Sequence, residues 1–327
     1  MHKILVAVNG NFENQINRMR KAGLEVHQRP VAYHRDEKVF AEDVSNFNCV
    51  VMGGGPWNEN VLKYAKEKGN LKMIVKFGVG VDNIDLNAAT RLGIAVSNAP
   101  GSNSRAVAEH ALALILAITR NIVAFDRTIK AGYWSNSMSG TVIGKTIGLL
   151  GFGNIAAKLA EYLKSFPVSI IAYDIHRDEE KASSLGVRYV KLDELITNSD
   201  IISIHVPLNE STRGMVNKYF FEKMKPTAYI INTSRGAVIN EKDLIEALKN
   251  KTIMGAALDT FEQEPLPENS ELRKLDNVIL TPHSASNTLE AFSSIMDCCV
   301  NNVIEFFIKG RLKNVLNPDY DKSASEM

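Results

Sequence analysis

Short apolar runs alternate with amphipathic stretches along most of the chain. Between residues 3 and 98 the runs 3–8, 24–27, 49–52, 73–77 and 95–97 have the length and composition of buried strands. The stretches 14–22, 36–44, 59–68 and 86–92 between them carry apolar residues at helical spacing. Strand alternating with helix predicts a parallel sheet covered by helices, a small α/β domain. Ala99-Pro100-Gly101-Ser102 interrupts the pattern, and a long helix is expected from Ser104, whose hydroxyl suits an N-cap. Residues 147–282 form a second series of strands and helices. The helical stretch 289–307 follows, and 317–327 is polar and reads as a mobile tail.

The second series opens on a motif with chemistry. KTIGLL at 145–150 is an apolar strand, followed by Gly151-Phe152-Gly153-Asn154-Ile155-Ala156 and helical spacing over 157–166. This is Gly-x-Gly-x-x-Ala, a permitted form of the dinucleotide fingerprint. Gly151 allows the tight turn, Gly153 lets the backbone approach a pyrophosphate, and Ala156 keeps helix and strand close. The N–H groups at the helix start, from Asn154 and Ile155 onward, suit phosphate oxygens. A further strand, 169–173, ends at Asp174, at the spacing of the acid that binds an adenosine ribose. Asp174 would repel a 2′-phosphate, which points to NAD; Arg177 is the contrary signal.

Three distant residues share one kind of position. Arg235 follows the run 228–232, Glu264 follows 254–258, and His283 follows 278–280. Carboxyl ends of parallel strands converge on one crevice in an open α/β sheet. Arginine grips a carboxylate through two parallel hydrogen bonds. Histidine exchanges protons near neutrality, and a neighbouring carboxylate holds the ring and favours its charged form. With a hydride acceptor, that set suits interconversion of a 2-hydroxy acid and a 2-keto acid. Taken singly, each has a bland reading: a surface ion pair for Arg235, a solvated carboxylate for Glu264, a packing ring for His283.

The stretches KFGVGVDNIDL (76–86), NAPGSNSRAVAEHALALILAITR (98–120), GLLGFGNIA (148–156), SIHVPLNESTRGMVN (203–217), MKPTAYIINTSRGAVIN (224–240), GAALDTFEQEPLP (255–267) and LTPHSASNT (280–288) together resemble the D-isomer-specific 2-hydroxyacid dehydrogenases, in general form the phosphoglycerate dehydrogenase branch. The resemblance runs over nearly the whole chain. It implies a Rossmann dinucleotide domain at 99–287 and a smaller, discontinuous, flavodoxin-like substrate domain at 1–98 and 288–327. It makes Arg235, Glu264 and His283 catalytic, and it selects Glu264 over Glu262 as partner of His283. It implies that Val206, Thr233, Ser234, Asp259 and Ser286 line the cofactor with the fingerprint residues, Asp259 at the nicotinamide. It implies that backbone N–H groups at Val79 and Gly80 bind the substrate carboxylate, with the two domains closing on the substrate. His205 and His110 receive no catalytic role. The segment 53–57 is expected to shape the side-chain pocket; it lacks the arginine usual for a phosphorylated substrate, and Lys76 is the nearest substitute cation. The long helix and the apolar 122–134 segment imply a homodimer.

Composition changes this picture little. Hydrophobic residues at 45% and charged residues at 23% are ordinary for a globular protein. A net charge of +1 gives no reason to expect nucleic acid or a membrane surface as partner. The three cysteines read as free thiols in a reducing cytoplasm, with no zinc spacing around them. No signal peptide is expected, and no separate regulatory domain fits after Lys309. The resemblance makes 3-phosphoglycerate the first substrate to expect, and two alternatives stay open: a glyoxylate or hydroxypyruvate type of 2-keto-acid reductase, and a non-enzymatic NAD(H)-sensing protein like the corepressors of this fold. A formate-oxidising relative is disfavoured by the Glu264 and His283 pair.

Overall fold

The computed structural model describes residues 1–31, 36–134 and 137–321 and arranges the strands in two parallel sheets. The chain forms two compact units, Met1–Asn103 with Leu289–Met327, and Ser104–Thr288.

In the first unit β1 (Lys3–Ala7), β2 (Glu25–Gln28), β3 (Cys49–Met52), β4 (Met73–Lys76) and β5 (Ala95–Ser97) lie in the order β2-β1-β3-β4-β5. That is the flavodoxin-like order. Helices α1 (Glu13–Lys21), α2 (Glu37–Ser45), α3 (Glu59–Gly69) and α4 (Leu86–Arg91) connect the strands. Side-chain caps set the starts of α2, α3 and α4. Asp36 accepts from the Lys38 N–H, Asn58 from Val61 and Asp85 from Ala88.

The second unit begins with α5 (Ser104–Thr119) and α6 (Ile122–Lys130). Ser104 is the first residue of α5 rather than a cap outside it, and it is buried. Strands β6 (Thr146–Leu150), β7 (Ser169–Tyr173), β8 (Val187–Tyr189), β9 (Ile201–Ile204), β10 (Tyr229–Asn232), β11 (Gly255–Leu258) and β12 (Val278–Leu280) form a sheet ordered β12-β11-β10-β9-β6-β7-β8. The order reverses between β6 and β9, the switch point of a doubly wound Rossmann sheet. Helices α7 (Asn154–Leu163), α8 (Glu179–Ser184), α9 (Leu192–Asn198), α10 (Lys218–Lys223) and α11 (Glu241–Lys249) accompany it. Helix α7 begins at Asn154, three residues before the periodic stretch, because the fingerprint's own residues make its first turn. All four residues of β9, β10's Ile230 to Asn232 and all of β11 are buried, as expected of strands covered on both faces.

Helix α12 (Leu289–Lys309) returns to the first unit. Among the described residues it is the one helix long and apolar enough to cross a membrane by length and composition. Its apolar face is occupied: Ile295, Met296, Cys299, Val300 and Val303 are buried in one core with β1, β3 and β4 residues. The expected mobile tail is partly wrong. Asn317 is 7% exposed; its Oδ1 accepts from the Val96 N–H at 2.8 Å, and its Nδ2 donates to the Ile94 carbonyl at 2.9 Å. Tyr320 packs against Phe306. A buried amide completing a strand edge is costly to release, so this segment is anchored. Residues 322–327 of that expected tail lie outside the described residues.

Candidate active site

At the carboxyl end of the second sheet the chain leaves β10, β11 and β12 into the three turns that carry Arg235, Glu264 and His283. The structure brings Glu264 and His283 together: His283 Nδ1 lies 2.7 Å from Glu264 Oε2. Burial by itself raises the Glu264 pKa. Hydrogen bonds from His283 and the Phe261 N–H, and the charges of His283 and Arg235, outweigh it, and the net shift is downward. An ionised carboxylate only accepts, so Nδ1 carries the hydrogen and Nε2 is left for exchange with a substrate. His283 itself has φ +50°, a left-handed backbone that a non-glycine residue adopts only under constraint.

The Arg235 turn is shaped by Asn232, which is fully buried. Its Nδ2 donates to the Arg235 carbonyl at 2.9 Å, and its Oδ1 accepts from the Ser234 N–H at 3.0 Å. Arg235 Nη1 donates to the Ser234 carbonyl at 2.8 Å. Gly236 lets this turn close on the segment leading to Glu264: an added Cβ would sit 1.8 Å from the Phe261 carbonyl carbon. Asn232 and Gly236 do work that the sequence reading did not assign. The signal was an amide ending an apolar strand and a glycine directly after the arginine. Gly236→Ala is expected to destabilise the fold by at least about 1–3 kcal/mol, because backbone must move. Thermal unfolding beside a Gly140→Ala control, whose Cβ meets nothing closer than 3.4 Å, measures this.

Asp259 follows β11 and enters a buried hydrogen-bond network. It has no exposed surface. Its Oδ1 accepts from Thr281 Oγ1 at 2.6 Å and the Ser284 N–H at 2.9 Å, and its Oδ2 from the Ala285 N–H at 2.9 Å. Burial raises its pKa, but hydrogen bonds from His110, Thr281, Ser284 and Ala285 reverse the shift to a net lowering. The carboxylate therefore holds the 281–285 turn. Ser286 continues that turn, its carbonyl accepting from the Thr288 N–H at 2.9 Å.

The residues of the fingerprint fit a dinucleotide. Gly151 has φ +94°, and a Cβ there would meet the Val206 N at 2.8 Å. A Cβ on Gly153 would meet nothing within 4 Å, so the space a pyrophosphate needs is open beside it. Helix α7 has no side-chain cap, which leaves its first N–H groups, including those of Asn154 and Ile155, to an anion. Asp174 accepts from the Phe152 N–H at 2.7 Å and the His176 N–H at 2.8 Å, which fixes its carboxylate against the glycine turn. Thr233 Oγ1 is buried without a hydrogen-bond partner, a polar atom suited to a ligand. Arg177 lies over the Tyr189 ring at 5.3 Å and 3.8 Å from Glu179. His205 Nε2 is buried, and burial pushes the ring's pKa down to about 4, so it is neutral at working pH.

Elsewhere, Gly78 has φ +139° and Val79 is 37% exposed, its carbonyl accepting from Asn98 Nδ2 at 2.7 Å. Among the described residues the N–H groups of Val79 and Gly80 have no protein acceptor. Lys76 Nζ donates to the Gly53 carbonyl and, at 2.7 Å, to Asn83 Oδ1. Trp57, expected beside a pocket, is 1% exposed, and its Nε1 donates to the Gly54 carbonyl at 3.1 Å. Among the described residues no group of His, Cys, Asp and Glu could hold a metal ion.

A doubly wound sheet with this fingerprint and a carboxylate–imidazole pair at its carboxyl edge defines a dinucleotide-dependent oxidoreductase class. Residues 112–285 match the model of the D-isomer specific 2-hydroxyacid dehydrogenase NAD binding domain. The chain is 38% identical, over 99% of its own length, to a D-3-phosphoglycerate dehydrogenase of Archaeoglobus fulgidus, of which it spans 61%. It is 45% identical to a glyoxylate reductase of Thermofilum pendens, over 76% of this chain and 75% of that one. The crystal structure of a glyoxylate reductase from Paecilomyes thermophila superposes with a TM-score of 0.86 at 28% identity, covering 96% of this chain and 98% of that one. The chain belongs to the D-isomer-specific 2-hydroxyacid dehydrogenase family, and its cofactor is NAD.

Proposed function

We propose that this protein is a NAD-dependent dehydrogenase that interconverts a short D-2-hydroxy acid and its 2-keto acid. The observation that carries the reading is the 2.7 Å contact of His283 Nδ1 with Glu264, one strand from Arg235 at the cofactor end of the sheet. NAD supplies the hydride acceptor or donor. Arg235 binds the substrate carboxylate through its planar guanidinium and polarises the carbonyl. His283 Nε2 gives a proton to the keto oxygen during reduction and takes it back during oxidation. Glu264 holds Nδ1 and stabilises the imidazolium between these steps. In the first unit the N–H groups of Val79 and Gly80 suit an anionic ligand. Val206, Thr233 and Ser234 line the cofactor, Asp174 takes its ribose, and Asp259 and Ser286 act through the 281–288 turn.

A small non-phosphorylated acid such as glyoxylate is the substrate reading supported by Lys76, whose ammonium is engaged with Gly53 and Asn83. 3-Phosphoglycerate is the second reading, supported by alignment with the Archaeoglobus enzyme over 99% of this chain. NADH oxidation with glyoxylate, hydroxypyruvate and 3-phosphohydroxypyruvate tests both, and no turnover with any 2-keto acid would remove the dehydrogenase reading in favour of a dinucleotide sensor. NADH is expected to be preferred over NADPH by kcat/KM, because Asp174 repels a 2′-phosphate and Arg177 is engaged with Tyr189 and Glu179. Asp174→Ala should narrow that ratio; a wild-type preference for NADPH would contradict the assignment.

A cytoplasmic homodimer completes the proposal. Helix α6 buries none of its residues, and Ile129 and Trp134 are 51% and 90% exposed. Exposed apolar side chains concentrated in one segment mark an association surface, and a two-fold dimer covers it with its own copy. Sedimentation should give twice 36.1 kDa, and Trp134→Glu should return it towards the single-chain mass. A monomer at micromolar concentration would remove the dimer. The three cysteines are free and two of them buried, which suits a reducing compartment.

A further inference from the structure

We infer that His110 is a positioning residue for the reaction: from helix α5 it locks Asp259 and Thr281, and through them the turn that presents His283 to Glu264. This rests on the dehydrogenase reading above.

The hydrogen-bond logic assigns its role. Thr281 Oγ1 lies 2.6 Å from Asp259 Oδ1, and a carboxylate accepts only, so the single hydroxyl proton of Thr281 is committed there. His110 Nε2 lies 3.1 Å from the same Oγ1 and 3.5 Å from Asp259 Oδ1. Both oxygens can only accept from it. His110 therefore carries its hydrogen on Nε2 and donates into the pair, a tautomer set by its partners.

What the pair holds gives this its consequence. Asp259 is the first residue after β11, on the segment that reaches Glu264, and its N–H donates to the Asn232 carbonyl at 2.9 Å. Thr281 is the first residue after β12, and its carbonyl accepts from the His283 N–H at 3.0 Å. Asp259 also takes the N–H groups of Ser284 and Ala285, on the far side of His283. The strained φ of +50° at His283 is thus clamped from both sides by groups that converge on one buried carboxylate. Among the described residues His110 is its one ring donor, brought from a helix more than a hundred residues away in sequence, with its side chain 24% exposed. Without that donor, the Thr281 hydroxyl and Asp259 lose the contact that orients them. The His283 ring is then free to leave the geometry in which Nδ1 meets Glu264.

The test uses His110→Phe, His110→Gln and Thr281→Val in the full chain. His110→Phe keeps bulk and removes the donor; His110→Gln restores an N–H at the reach of Nε2; Thr281→Val breaks the same link without touching α5. His110→Phe and Thr281→Val are expected to lower kcat about 10-fold or more, the scale of a sub-ångström misplacement, with KM for the keto acid and NADH affinity nearly unchanged. His110→Gln should recover most of kcat. A second readout needs no turnover: the rate at which diethylpyrocarbonate modifies His283, followed by peptide mass spectrometry, should change severalfold in both damaging variants and return in His110→Gln. His205, whose Nε2 is buried, is protected at that atom as long as the fold is intact and so reports unfolding. If His110→Phe unfolds, Thr281→Val decides. Unchanged kcat and unchanged His283 reactivity would overturn the inference, as would an equal loss in His110→Gln, which would mark a packing role. A wild-type chain that reduces no 2-keto acid overturns the dehydrogenase reading instead, and the His283 modification rates then decide the positioning role alone.

Discussion

Replacing His283 with alanine is expected to lower kcat by about 10²–10⁴-fold, the contribution of a positioned acid–base group. The affinity for NADH should stay close to that of the wild type. The glycine turn, the start of α7 and Asp174 are formed by residues 151–174, and none of them hydrogen-bonds to His283. Transient kinetics with NADH and fluorescence titration of the cofactor separate the two effects. An alanine variant with normal turnover would sink the assignment of the proton to His283. The pH behaviour follows from Glu264. Its folded-state pKa is depressed below 4.5, so its ionised form and its tie to His283 are complete above the ordinary carboxylate range. They are lost only as pH falls through the lowered value. The acid-side loss of kcat due to Glu264 should therefore lie below pH 4.5, and Glu264→Gln should abolish that limb while lowering the plateau.

Arg235→Lys is expected to raise KM for the 2-keto acid and lower kcat/KM by about 10–100-fold, the loss of one to two charge-assisted hydrogen bonds. Lysine keeps the charge but not the planar fork, so it cannot hold two carboxylate oxygens in register. The turn itself should survive, because its framework is made by Asn232 and Gly236 rather than by the guanidinium. Steady-state kinetics with the best 2-keto acid, beside thermal unfolding and NADH binding, measures this. A lysine variant with wild-type KM and kcat would show that Arg235 is not the carboxylate clamp. Loss of cofactor binding in the same variant would show that its task is structural.

Much of this molecule is legible in the order of its residues. Val/Ile-rich runs with helical stretches between them imply parallel sheets, since each strand buried on both faces needs a helix to return the chain. The fingerprint Gly151 to Ala156 is a local device: one turn, one helix start, one close approach. Its reading needs only neighbours in sequence, and Asp174 falls on its expected spacing. The ends of elements were less legible. Asn317 looked like tail because its polarity is local information, whereas the strand edge that its amide completes is built by Ile94 and Val96, far up the chain.

The sequence by itself determined the fold class, the dinucleotide motif and the three residues at strand ends, because periodicity and short motifs are written within a few turns of chain. The resemblance also paired Glu264 with His283, but only the tertiary structure decided the contacting atoms and the remaining partners. It chose Nδ1 as the His283 atom that meets Glu264, enclosed Asp259 in a buried network, tied Lys76 to Gly53 and Asn83, and pressed Gly236 against Phe261. It also brought His110 from α5 to Thr281. The physical reason is common to all of these. A hydrogen bond or a close approach depends on distances of a few tenths of an ångström between groups whose separation in sequence carries no such information, and sheet order and packing alone set those distances.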